Sequence, residues 1–149
     1  FTLDADNVIL PNALPKLIKL AKTNDSVAVY GKLRKVDENL TPLGGHLSNC
    51  PPLFGSIINK NKIDAMALFS TDYLKEIGGY DEKMEVSGPG NEDWELWCRI
   101  LNTKPLQVHF LNEEIGLYRT KADSMLSSTI PFHERNKRYI HNKLGIHVD

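Results

Sequence analysis

Phe1-Thr2-Leu3-Asp4-Ala5-Asp6-Asn7 opens the chain with a short apolar run that closes on two carboxylates. The apolar run reads as the end of a buried strand, and open α/β sheets gather ligands at such ends. Alternation along a strand sends Asp4 and Asp6 to the same side. Two carboxylates so placed offer hard oxygen ligands to a divalent cation, Mg²⁺ or Mn²⁺. A D-x-D triplet is common by itself; its place after the apolar run gives it meaning.

A second acidic stretch lies far along the chain. Asn91-Glu92-Asp93-Trp94-Glu95-Leu96-Trp97-Cys98-Arg99 reads as the opening of a helix, with Asn91 as its cap. Glu92 and Asp93 fall in the first turn, where the helix dipole favours negative charge. That electrostatic role does not account for Gly88-Pro89-Gly90, a loop that lets backbone pass close to a ligand. A carboxylate delivered there can act as a general base toward something bound at the metal. Trp94, Trp97, Cys98 and Leu101 line one face. Trp97 reads as core; Trp94 is placed to edge into a cleft.

Between these stretches helices and strands alternate, which indicates an α/β or mixed class. Pro11 starts a helix whose inner face is Leu14, Leu17, Ile18 and Ala21. Val27 to Val36 is a β-branched strand broken by Gly31. Asp37 to Gly45 is a turn or short excursion, and His46 to Asn61 a long surface segment. Ile63 to Phe69 reads as a buried strand. Ser70 or Thr71 caps a short helix that points Tyr73, Leu74 and Ile77 inward and stops at Gly78-Gly79. Leu106 to Leu111 and Ile115 to Arg119 read as two strands. Lys121 to Ser128 is a polar loop. Pro131 to Leu144 is a terminal helix ended by Gly145.

The chain has 149 residues, 41% of them hydrophobic, which suits one domain with a packed core. The net charge of −1, with both signs interspersed, leaves no basic stripe for nucleic acid. No apolar run is long enough to span a bilayer. Cys50 and Cys98 lack metal-type spacing and read as reduced thiols, in keeping with a cytoplasmic location or one at the inner face of the membrane. The five histidines are scattered and read mostly as surface residues. No P-loop or nucleophile elbow is present.

Four segments together resemble, in order, the C-terminal portion of a family 2 glycosyltransferase with the GT-A fold. Phe1 to Asn7 with Leu10-Pro11 resembles the family's D-x-D strand and following helix. Ala65-Met66-Ala67-Leu68-Phe69 with Leu74 to Glu82 resembles the segment facing donor sugar and acceptor. Asn91 to Leu96 is similar to the E-D motif that supplies the catalytic base. Leu117-Tyr118-Arg119 with Ser124 resembles a later Y-R-x-H-x-x-S stretch, with Lys121 where the family often has His.

The resemblance implies a partial GT-A fold over residues 1–149, a mixed sheet with flanking helices whose N-terminal nucleotide-binding half is absent. It implies inverting transfer of a sugar from a nucleotide-diphosphate-sugar donor to a glycan or lipid-linked glycan acceptor. Asp93 would be the base, and Asp6 with Asp4 would hold Mg²⁺ or Mn²⁺. Asp4, Asp6, Arg119 and Lys121 would face the donor; Glu92, Trp94 and Gly90 would face the acceptor. The fragment alone would be inactive and prone to associate through its truncated face. Two other readings stay open: a non-catalytic glycan- or partner-binding module, and a nucleotidyltransferase.

Overall fold

The computed structural model describes residues 1–84, 90–120 and 130–146. It is an α/β fold built on a mixed five-stranded sheet. The strands are β1 (Val8–Ile9), β2 (Ala28–Val36), β3 (Pro42–Leu47), β4 (Leu68–Phe69) and β5 (Val108–Arg119). The helices are α1 (Ala13–Asn24), α2 (Phe54–Ile57), α3 (Thr71–Glu76), α4 (Glu92–Thr103) and α5 (His133–Lys143).

β2 is the central strand. It runs parallel to β5 along one edge; on the other, β4 pairs with its start and β3 with its end, both antiparallel. β1 adds to the far side of β5, antiparallel. Because successive side chains alternate faces, β2 feeds two cores. Val29 and Leu33 join Ala13 and Leu17 of α1 on one face. Ala28 and Tyr30 join Trp97, Cys98 and Leu101 of α4 on the other, where Trp97 packs edge-on against Tyr30 at 5.4 Å.

Gly31 does not break β2. A Cβ there would meet Ile115 Cγ2 at 2.5 Å, so its absence lets β5 lie close. The irregularity falls on β5, whose register jumps from Leu111 opposite Gly31 to Glu114 opposite Lys32. The two strands read from the sequence at 106–111 and 115–119 are thus one bulged strand.

Several other expectations are corrected. Phe1 to Leu3 is not a buried strand: Thr2 N–H bonds Ala67 O, while Phe1 and Leu3 are exposed. Asp4 to Asn7 is a turn, closed by Asn7 N–H donating to Asp4 O at 3.2 Å. The inner face of α1 centres on Ala13 and Leu17, and Ile18 faces outward. Of Ile63 to Phe69 only the last two residues form strand, although Ile63, Met66 and Ala67 are buried. The expected excursion at 37–45 contains the start of β3, and the segment from 46 contains its end and α2.

Asn91 holds the cap position of α4 in a left-handed conformation, and its side chain makes no cap bond. Ser70 does cap α3, accepting from Tyr73 N–H at 3.3 Å. His141 is buried and bonds Ile58 O at 3.0 Å, unlike the surface residue expected. Among the described residues no helix is long and apolar enough to cross a membrane.

Candidate active site

A cleft of about 820 Å³ opens where five segments meet: the turn before β1, the chain leaving β3, the strap 61–65, the start of α4 and the end of β5. It brings together Asp4, Asp6, Gly90, Glu92, Asp93 and Arg119, which lie far apart in sequence. Lys121, Ser124 and the Gly88-Pro89 part of the loop lie outside the described residues.

Strand pairing delivers the first motif. Val8 pairs with Leu117 and Ile9 with Gly116, so the Asp4–Asn7 turn sits beside Tyr118 and Arg119. Gly116 permits this approach: a Cβ there would come within 2.8 Å of Val8 O. Buried Asn7 fixes the turn, accepting from Arg119 N–H at 3.0 Å and lying 3.5 Å from Asp4 Oδ2 through its amide nitrogen. Asp4 and Asp6 therefore share the cleft, but through a turn and not through strand alternation.

Asp93 enters from the first turn of α4. Its Oδ1 accepts from Asn61 Nδ2 at 3.0 Å and from the Trp94 backbone N–H at 2.7 Å. Burial pushes its carboxyl up from an ordinary 3.8 to about 7, with the Asp64 charge adding to the rise and the Asn61 hydrogen bond opposing it. Glu92, next to it, is exposed.

Trp94 is not part of the cleft. It is fully buried, its indole N–H donates to Ile57 O at 2.7 Å, and its ring stacks on His133 at 5.0 Å. A helix buried on so many sides uses both tryptophans as core, which leaves Trp94 no face for an acceptor.

Sequence reasoning missed Asp64 and Asn61. Asp64 lines the same cleft, and burial first, then the charge of Asp4, pushes its carboxyl up to about 6 despite a bond from Met66 N–H. It sits inside an apolar run that reads as strand, so no local signal marked it. Asn61 carried no signal beyond its place in a long segment.

The cleft is an acidic chamber with cationic groups on its walls. Burial, then Asp64, Asp4, Asp93 and Asp6, push the Tyr118 phenol up to about 12, so one ring feels four carboxylates. Among the described residues no three His, Cys, Asp or Glu side chains form a metal-ligand set. Two carboxylates in such a field still fit a Mg²⁺-like ion, which takes one or two protein carboxylates and completes its shell with water and phosphate oxygens. Arg119 suits an anion beside it: its Nε is buried and has no hydrogen-bond partner among the described residues. No protein-family model matches the chain, and no curated protein matches it.

Proposed function

We propose that this chain carries the metal- and acceptor-binding part of an inverting glycosyltransferase, which moves a sugar from a nucleotide-diphosphate-sugar donor to an acceptor hydroxyl. The observation that carries this reading is Asp93, a carboxyl held near neutrality that shares one cleft with Asp4, Asp6 and Arg119. A base poised near pH 7 is what proton removal from a hydroxyl requires.

Asp93 would accept the acceptor's hydroxyl proton on the oxygen not held by Asn61 and Trp94. The acceptor oxygen then forms its bond to the anomeric carbon as the bond from that carbon to the diphosphate oxygen breaks, on the opposite face. Arg119 would meet the charge gathering on the departing diphosphate. Asp4 and Asp6 would hold a divalent ion that supplies Lewis-acid stabilisation to the same leaving group. Glu92, exposed beside the base, would orient the acceptor. Cys50 and Cys98 are both free thiols, which favours a cytoplasmic setting.

Asp93→Asn in the full-length protein tests this. Turnover with nucleotide sugars should fall by roughly 10²–10⁴-fold while donor binding stays unchanged. EDTA should abolish transfer and Mn²⁺ or Mg²⁺ restore it. A variant with wild-type turnover would leave Asp93 structural and put the base elsewhere; absence of transfer in the wild type would favour a binding module.

A further inference from the structure

The stretch from Ile57 to Asp64 is laced to α4 by three side-chain bonds. Trp94 Nε1 donates to Ile57 O at 2.7 Å, Asn61 Nδ2 to Asp93 Oδ1 at 3.0 Å, and Trp97 Nε1 to Asp64 O at 3.1 Å. Asp93 and Trp97 are four residues apart, hence on one helix face and about 6 Å apart along the axis. The lacing therefore ties Asp64 and Asp93 to one face of α4, and both line the cleft.

Asp64 is fixed at two further points. Its N–H donates to Ser48 Oγ at 2.9 Å, and its Oδ1 accepts from Met66 N–H at 2.9 Å. Among the described residues nothing donates to Oδ2. So many constraints on one acidic residue, on the wall of the cleft that holds the base, ask for a role. A cap for Met66 N–H needs an acceptor oxygen and no charge, and an asparagine would serve as well.

We propose that Asp64 is a positioning residue acting through Asp93: its fixed carboxylate sets how strongly the base holds a proton, and so the pH at which the base works. The inference rests on the glycosyltransferase reading. Other charged or titratable groups line the same cleft or interact with Asp93. Glu92 and Cys98 lie on its own helix, Lys62 on the strap, Asp4 and Asp6 on the turn, His46 on β3 and Cys50 after it, Arg119 and Tyr118 on β5, and Tyr80 follows α3. Of the charges acting on Asp93, Asp64 contributes the largest, ahead of Glu92. Two carboxylates coupled this way release their protons as a pair.

Asp64→Asn separates charge from shape, because its amide oxygen still accepts from Met66. The Asp93 carboxyl is followed by ¹³C NMR across pH in metal-free buffer, on this chain with and without the substitution. Its titration midpoint should fall by about one pH unit or more. In the full-length protein the acid limb of the kcat/KM profile should move down by the same amount. Asp64→Ser, whose hydroxyl also accepts from Met66, repeats the measurement if the amide variant does not fold. An unmoved Asp93 midpoint overturns the coupling, and a shifted midpoint with an unmoved acid limb overturns its role in the reaction. Absence of transfer in the wild type would instead sink the glycosyltransferase reading, and the NMR titration would still decide the coupling.

Discussion

Helix α4 carries carboxylates at two places that the protein treats in opposite ways. At its start, Asp93 joins Asp4, Asp6, Asp64 and Glu92 around an open cleft, and burial pushes Asp93 and Asp64 up toward neutrality. Two residues further, on the other side of the same turn, Glu95 is buried at 1% side-chain exposure with both oxygens matched. Arg99 grips it through Nε at 2.9 Å and Nη2 at 2.8 Å, and Lys143 of α5 lies 2.8 Å away. Arg99 also donates to Ile77 O and Gly79 O, and Lys143 to Asp81, so the network ties α4, α5 and the loop after α3 together. Burial opposes the charge on Asp81 too, yet bonds from Lys143 and Tyr139 hold it at about 2. Where every carboxylate oxygen meets a donor, the charge serves the fold. Where carboxylates face one another, the fold holds protons ready to move.

The sharpest way to break this contrast is to remove charge from the matched side. Glu95→Gln leaves Arg99 and Lys143 clustered without their shared counter-charge. The loss should be about 3–5 kcal/mol, the range for stripping one partner from a buried pair. Urea unfolding at pH 7 measures it. A loss below about 1 kcal/mol would mean that the backbone carbonyls of Ile77 and Gly79 suffice for Arg99, and that the network is not what fastens α4.

At the cleft, the same kind of substitution should act in reverse. Asp93 moves from 3.8 unfolded to about 7 folded, so between those values the folded chain keeps a proton that the unfolded chain has lost. Stability therefore falls as pH rises through that window, and the full cost is present above about 7. Asp93→Asn should stabilise the protein by about 1–2 kcal/mol at pH 8, allowing for solvent in an open cleft, and change little at pH 4. Asp81 runs the other way: its stabilising effect is full above about 4 and is lost as pH falls toward 2. Asp81→Asn should thus weaken the protein at pH 7 and be silent near pH 2. Thermal melts across pH would show the two trends diverging; parallel trends would refute the contrast.

The helices were legible because their signals are local: Ser70 as cap, Gly78-Gly79 and Gly145 as stops, and apolar spacing along 94–101. β3 was hidden by Pro42, Gly44 and Gly45, which read as turn chemistry. Among the described residues it is an edge strand bonded to β2 alone, and proline and glycine are tolerated there. Asp4, Asp6, Glu92, Asp93 and Arg119 were legible as residue types, and the structure gathers them, yet their geometry was not. The turn that presents Asp4 and Asp6 depends on Asn7 reaching Arg119, 112 residues away in sequence. Asp64 depends on Ser48 and Trp97, and buried His141 on Ile58 O. These bonds link distant side chains to backbone, and periodicity carries no trace of them.

The smallest expected effect tests whether pairing alone, apart from burial, separates the two sides of α4's first turn. Glu113 on β5 pairs with Lys16 of α1, and both side chains are about half exposed, at 51% and 52%. Water already solvates both charges, and holding two long side chains together costs entropy that the attraction barely offsets. Glu113→Gln should therefore cost at most about 1 kcal/mol in urea unfolding, and the difference should vanish in high salt, where exposed charges are screened. The backbone carbonyl of Glu113, which lies at the bulge opposite Gly31, is untouched by the substitution. If Glu113→Gln cost as much as Glu95→Gln, ion pairing by itself would account for the matched side of α4. Burial would then no longer explain why carboxylates on one helix are held so differently.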